Sequence, residues 1–130
     1  MAGEIVTRTH PEQDLTVYTV SGAFTIADIN RVIEDFFSAD RTTLTLWDFT
    51  AADFGQVVST DPQQIAGFSK KYEGQRSPGS KTALVFSQDL GFGLGRMFEI
   101  IRQLDESQTS YRAFRSHREA MDWLGLPVSD

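Results

Sequence analysis

Two aspartates in one short segment, Asp48 and Asp53, are the clearest candidates for acid–base or metal chemistry. Neighbouring carboxylates can bind a divalent cation, or act as an acid and a base when their surroundings separate their pKa values. An aspartate after a strand also commonly accepts hydrogen bonds from backbone N–H groups in the next turn. We favour this second role for Asp48, because a phospho-receiver site would need acidic residues and a lysine where Gly22 and Arg115 stand.

A glycine-rich segment, Gly91–Arg96, is similar to the phosphate-binding turn of nucleotide-binding proteins. Its spacing does not fit a dinucleotide site, since the third glycine follows too closely after the second and Arg115 stands where an acidic residue is needed. Gly91 and Gly95 instead share one helical face. We interpret them as positions where a helix packs closely on its neighbours.

The other reactive side chains lack partners at suitable spacing. His10 and His117 are isolated from other candidate ligands of a zinc ion. No serine stands in a Gly-x-Ser-x-Gly elbow, and the chain has no cysteine. The late arginines alternate with acidic residues, as on a solvated surface: Arg102, Arg112, Arg115 and Arg118. We therefore predict no catalytic residue, no metal site and no cofactor.

Length and composition restrict the class of protein. The chain has 130 residues, a formal net charge of −6 and 40% hydrophobic residues, which is typical of one domain over residues 1–130. No apolar run approaches the roughly 20 residues of a membrane span, and the N-terminus lacks the regions of an export signal. We expect a cytoplasmic protein. Its acidic charge argues against a general affinity for nucleic acid.

Hydropathy periods and capping signals divide the chain into alternating strands and helices. The predicted strands are residues 5–9, 15–21, 42–49, 81–87 and 110–115. The predicted helices start at Thr25–Asp28, at Thr60 or Asp61, at Asp89 and at Ser116–Glu119. The first helix is expected to end near Ala39, and residues 74–80 are expected to form an exposed loop. The order β-β-α-β-α-β-α-β-α predicts a mainly parallel five-stranded sheet with an antiparallel N-terminal edge strand.

The strand patterns also predict how the helices cover the sheet. Polar and apolar residues alternate along the strands, so one face should be less well covered, with most helices on the other. The less covered face is a candidate for self-association as a homodimer. An apolar stripe on the 89–105 helix is expected to pack against Leu46, Leu84 and Phe86; its members are Leu90, Leu94, Met97, Phe98, Ile101 and Leu104.

Several segments together resemble the small bacterial SpoIIAA-like proteins of the STAS superfamily. They are Leu-Trp-Asp-Phe at 46–49, Lys81–Ser87 running into Asp89–Glu99, and Tyr111–Arg115 before Glu119–Leu124. The resemblance covers nearly the whole chain and implies a single-domain α/β fold, a βα superhelix. In the anti-sigma-factor antagonists that typify the superfamily, a serine in an Asp-Ser-Ser-Gly-like motif is phosphorylated. That motif is absent here, and Ser59 and Thr60 are the nearest hydroxyls.

Three functions are consistent with these observations. The first is a non-enzymatic STAS-like regulatory or protein-interaction module, the second a module that binds a small apolar molecule or a lipid in the manner of Sec14, and the third an enzyme. An enclosed apolar pocket would favour the second, and converging carboxylates the third. Open α/β sheets bind partners beyond the carboxyl ends of their strands. The candidate surface there comprises Asp48, Thr50, Asp53, Ser59, Thr60, Asp89 and Arg96, with Ser59 or Thr60 as candidate phosphoacceptors.

Overall fold

The computed structural model describes residues 3–38, 41–58 and 60–127, which form five strands and four α-helices. The strands are β1 (Glu4–His10), β2 (Leu15–Ala23), β3 (Leu44–Asp53), β4 (Lys81–Val85) and β5 (Ser110–Phe114). The α-helices are α1 (Ile26–Ser38), α2 (Asp61–Ser69), α3 (Asp89–Leu104) and α4 (His117–Leu124), and 3-10 turns occupy Pro11–Gln13 and Lys70–Gln75. This is the predicted order of elements.

The sheet follows the chain, with strand order β1-β2-β3-β4-β5. β1 pairs with β2 antiparallel, and the other neighbours are parallel. The predicted α/β fold, with its antiparallel edge strand, is therefore confirmed. Local signals also act as expected at the helix ends, since Ser116 Oγ accepts the Glu119 N–H (3.1 Å) and Gly125 ends α4 with φ +80°.

β3 continues past its predicted end at Phe49 to Asp53. The pairing of β2 with β3 shifts between Thr19 and Ser21, and the two strands then pair again up to Ala23 and Asp53. Such an irregularity adds a residue without ending the ladder. Asp53, which the sequence places beyond the strand, therefore belongs to β3 together with Asp48.

The helices divide unequally between the two faces of the sheet. Residues of α1, α2 and α3 pack on one face around Tyr18, Trp47 and Phe49. α4 packs on the other face, where Met121 and Leu124 join a cluster with Leu46. The expected one-sided winding is confirmed. However, α4 covers the apolar part of the second face, which removes the reason to expect a homodimer through it.

α3 is seated differently from the prediction. Its buried residues are Gly91, Gly95, Glu99 and Arg102, whereas Leu90 and Met97 are exposed. Leu94 and Phe98 do pack against the cluster that contains Leu84 and Phe86. Leu46 belongs to the opposite cluster, so its expected contact with α3 is wrong. The reason is the glycine face, because an added Cβ would lie 2.7 Å from the Phe54 ring at Gly91 and 2.5 Å from Phe86 Cζ at Gly95.

The segment at 74–80 is not a fully exposed loop as expected. Arg76 and Ser80 within it are buried. Ser80 Oγ lies 2.7 Å from Thr109 Oγ1, and the Arg76 guanidinium bonds to residues of the sheet. Glu73, just before this segment, forms an ion pair with Arg102 of α3. These contacts hold the segment against the sheet and aim Arg76 inward.

Candidate functional site

The carboxyl ends of the parallel strands bring their following segments together, as the topology predicts. The Ser87 hydroxyl after β4 donates to the Thr50 carbonyl oxygen of β3 (2.8 Å). Arg115 after β5 forms an ion pair with Asp89 at the start of α3 (2.6 Å). Three segments of the predicted surface therefore meet at one edge of the sheet.

The two candidate aspartates are engaged with their own backbone. Asp48 Oδ1 accepts hydrogen bonds from the Thr50 N–H (2.9 Å) and the Thr50 hydroxyl (2.6 Å). Asp53 Oδ1 accepts the Gly55 N–H (2.8 Å). Asp48 thus accepts a backbone hydrogen bond, as expected, but it does so within β3, at the shift in register with β2, and not in a loop after the strand. Within residues 3–38, 41–58 and 60–127, no group of three or more His, Cys, Asp or Glu side chains could hold a metal ion.

The other predicted surface residues have different neighbours. Thr60 precedes α2 and is exposed, but its side chain makes no capping hydrogen bond. Asp61 does not cap α2 either; its Oδ2 accepts the Val58 N–H (3.0 Å). Arg96 pairs along α3 with Glu99 (2.8 Å) and not across the edge. Ser59 lies outside the described residues, so its role as phosphoacceptor stays a prediction.

A second candidate site is a cavity that the sequence did not reveal. It lies between the sheet and helices α1, α2 and α3, opens to solvent and has a volume of about 130 Å³. Aromatic and aliphatic side chains form most of its wall, chiefly Tyr18, Phe24, Phe36, Trp47, Phe49, Phe54, Ile65, Phe86, Leu94 and Phe98. The cavity is apolar, but it is open on one side and so meets only in part the expectation of an enclosed apolar pocket.

One end of this aromatic cavity is polar. Thr45, Thr82 and Tyr111 form a row across β3, β4 and β5 and line it together with Arg76. Thr45 and Thr82 hydroxyls lie 2.6 Å apart. The row is near the amino ends of the strands, whereas Phe86 follows the carboxyl end of β4, so polar and aromatic residues of the sheet line different ends of the cavity. Asp61 and Ser69 of α2 are further polar residues of its wall.

Arg76 is the charged residue of that polar end, and it is only 8% exposed. Its Nη1 donates to Thr82 Oγ1 (2.7 Å) and its Nη2 to the Thr43 carbonyl oxygen (3.0 Å). Its Nε is buried and has no hydrogen-bond partner in the described part of the chain. Burial lowers the pKa of Arg76, because a charged group loses its water shell there.

Tyr18 is the buried phenol beside this arginine. Burial raises the pKa of Tyr18 well above its ordinary value, although the positive charge of Arg76 opposes the shift. Tyr18 is therefore neutral at physiological pH and supplies no countercharge to the guanidinium. No signal in the sequence distinguishes Arg76 from the other arginines.

Comparisons with known proteins bear on the fold. No protein-family model and no curated protein sequence matches this chain. An uncharacterized protein of the DUF3478 family with a SpoIIAA-like fold, from Shewanella loihica PV-4, matches with a TM-score of 0.58 and 16% identity over 95% of this chain and 96% of that chain. An anti-sigma factor antagonist from Mycobacterium paratuberculosis matches with a TM-score of 0.63 and 14% identity over 95% of both chains.

The chain has a SpoIIAA-like fold. The resemblance carried by the sequence segments is thus confirmed at the level of the fold, along nearly the whole chain. Identities of 14% and 16% transfer no residue roles. Among the described residues, no helix is long and apolar enough to cross a membrane.

Proposed function

We propose that this protein is a non-enzymatic regulatory module that acts by binding another protein. The observation that carries the proposal is an apolar stripe on the solvent side of α3. Leu90, Met97, Ile100 and Leu104 are 58%, 39%, 45% and 79% exposed. Contiguous apolar surface of this kind typically marks an interaction site in a water-soluble domain.

The spacing of the α3 stripe suits a partner helix. Because each residue of a helix turns by about 100°, the four side chains fall within roughly 80° of one another, opposite the buried Gly95. Leu90, Met97 and Leu104 are seven residues apart, and Ile100 occupies the intermediate position of a heptad. This is the seam along which two helices interlock their side chains.

The size of the stripe favours a transient partner over a second copy of this chain. From Leu90 to Leu104 the helix rises about 21 Å, and a seam about 10 Å wide then offers roughly 200 Å². A stable dimer buries about 800 Å² on each partner. The stripe begins next to the Asp89–Arg115 ion pair, so a larger partner would also reach the carboxyl edge with Thr50 and Thr60.

Two further observations favour a protein partner that does not add a strand to the sheet. The edge strand β5 is protected against strand addition at Ala113, whose N–H donates to Glu99 Oε1 (2.9 Å). In addition, one structure with the same fold is an anti-sigma factor antagonist, which is by its name a regulator that opposes another protein. Phosphorylation of Ser59 or Thr60 would be one way to control such binding, since it places negative charge near the start of α2.

Site-specific photocrosslinking in the native cells tests the proposal. A photoreactive residue at Ile100 should give a discrete adduct whose linked peptide lies on an amphipathic helix of the partner. The same residue at Gln103, which is exposed on another side of α3, serves as the control.

A charge in the stripe should abolish the adduct without unfolding the protein. Met97→Glu places a carboxylate in the seam, and Gln103→Glu makes a matched charge change outside it. We expect loss of the Ile100 adduct with the first variant only. The absence of any adduct at Ile100, or an adduct that survives Met97→Glu, would contradict the proposed role of α3.

A further inference from the structure

We infer that the aromatic cavity is a binding site for a small carboxylate, with Arg76 as the anchor for its negative charge and the aromatic wall around its apolar body. This site is separate from the exposed stripe of α3 and does not depend on it. The argument rests on a buried cation that lacks a countercharge and on the shape and chemistry of the space beside it.

The first step is the unmatched charge. A guanidinium stays protonated in proteins, and its burial is unfavourable unless an anion and hydrogen-bond acceptors surround it. Within the described ranges, no carboxylate lies within ion-pair distance of Arg76. Glu73, the acidic residue closest along the chain, pairs with Arg102, although its charge also acts on Arg76 at longer range. Asp61, which also lines the cavity, is outside ion-pair distance of Arg76 and accepts the Val58 N–H. A carboxylate that enters the cavity would supply the missing charge.

The second step concerns the hydrogen bonds of Arg76. Thr82 and the Thr43 carbonyl accept from two of the five N–H groups that a guanidinium carries. The Tyr111 hydroxyl adds a further favourable contact, and the Phe36 ring centroid lies 5.5 Å from Arg76 Cζ. The hydrogen bonds to Thr82 and Thr43 tie the amino end of β4 to the residue before β3. The buried Nε–H still lacks an acceptor in the described structure. Buried donors in native proteins usually have an acceptor, so this N–H is available to a ligand or to an ordered water, as is the buried Nε–H of Arg102.

The third step is the body of the ligand. The cavity volume of about 130 Å³ is close to the roughly 150 Å³ of an engineered apolar cavity that holds benzene. Its wall already stacks aromatic rings, as in the Phe49–Phe86 pair, whose centroids are 5.1 Å apart with planes at 4°. A single ring or a short alkyl chain therefore fits, whereas a two-chain lipid does not. The size of the cavity therefore excludes a lipid of the Sec14 type, and the charge of Arg76 favours a small carboxylate.

Two molecules of nearly the same shape test the charge requirement on the unmodified protein. 3-Phenylpropanoate carries the carboxylate, and 3-phenylpropan-1-ol replaces it with a neutral hydroxyl. In NMR titrations of the isotope-labelled protein, we expect the carboxylate to bind at least about tenfold more tightly. It should also shift the Arg76 Nε–H and Trp47 indole resonances, and the alcohol should leave the Nε–H resonance in place.

Variants of the protein then test whether Arg76 is the cause of the preference for the carboxylate. Arg76→Gln should weaken carboxylate binding at least about tenfold and change alcohol binding less than threefold, whereas Arg8→Gln, on the exposed face of β1, should change neither. If Arg76→Gln does not fold, two measurements still test whether Arg76 binds the carboxylate. They are the affinities of the Arg76→Lys variant and the comparison of the two molecules on the unmodified protein. Equal affinity for both molecules, no binding of the carboxylate at about 10 mM, or shifts confined to residues outside the cavity would overturn the inference.

Discussion

Replacement of Gly95 by alanine tests how closely α3 approaches the sheet. The added Cβ would lie 2.5 Å from Phe86 Cζ, while ordinary contact begins at 3.4 Å. The Phe86 ring must therefore move by about 1 Å. It cannot simply rotate away, because it stacks on Phe49 at a centroid distance of 5.1 Å.

The expected magnitude follows from two opposing terms. Alanine stabilises a helix interior by about 1 kcal/mol relative to glycine. An extra methyl group in a packed core costs about 1–3 kcal/mol. Gly95→Ala should then lower the free energy of unfolding by about 0–2 kcal/mol. A loss of stability of about 0 kcal/mol would mean that the Phe86 ring moves into the aromatic cavity, which it lines.

Gly93→Ala is the matched control on the same helix. An added Cβ at Gly93 meets no atom within 4 Å, so only the helix term applies and the variant should be about 1 kcal/mol more stable than the parent. Urea unfolding followed by tryptophan fluorescence measures both variants. If Gly95→Ala proves as stable as Gly93→Ala, α3 is not seated on its glycine face, and the α3 stripe would have to be reassigned.

Substitutions at three other residues test the packing and polar contacts. Burial alone would raise the pKa of Glu73, but hydrogen bonds and the charge of Arg102 lower it below its ordinary value. The ionised carboxylate therefore stabilises the fold at pH values above the pKa of Glu73 in the unfolded chain. This stabilisation is lost as the pH falls through the pKa of Glu73 in the folded protein. Glu73→Gln should therefore destabilise the protein at pH 7, and the difference from the parent in urea unfolding should vanish in acid. Phe98→Ala should cost about 3 kcal/mol in the same assay, the low end of the usual range because the side chain is only partly buried. Glu99→Ala should cost about 1–3 kcal/mol and speed hydrogen exchange at Ala113, whereas Glu99→Gln should keep that amide protected.

The strand order was predictable because it depends on local patterns. Alternating residues and capping boxes mark where strands and helices begin, and these signals do not need tertiary contacts. The end of β3 was not predictable in this way. Its last residues pair with β2 only because the register shifts between Thr19 and Ser21, and such a shift depends on both strands together.

The seating of α3 shows a different limit of sequence patterns. Hydropathy favours the stripe with Leu90 and Met97 as the buried face, because leucine and methionine carry the apolar surface. Glycine has no side chain and so contributes nothing to a hydropathy pattern. The small size of Gly91 and Gly95 is nevertheless what allows α3 to contact Phe54 and Phe86. Arg102 also reads as a surface residue, yet its ion pair with Glu73 allows it to be buried.

Arg76 and the aromatic cavity depend on three-dimensional closure, which the sequence does not encode locally. Trp47, Phe49 and Phe86 are visible as strand aromatics, but their sequence positions predict a filled core as readily as a cavity. The short segment before β4 is polar and contains Gly79, so it favours a surface loop. The ion pair of Glu73 with α3 and the Ser80–Thr109 hydrogen bond hold this segment inward, with the guanidinium against Thr82. A buried arginine without an ion-pair partner among the described residues is therefore visible only in the folded structure, and it is the observation on which the proposed carboxylate site rests.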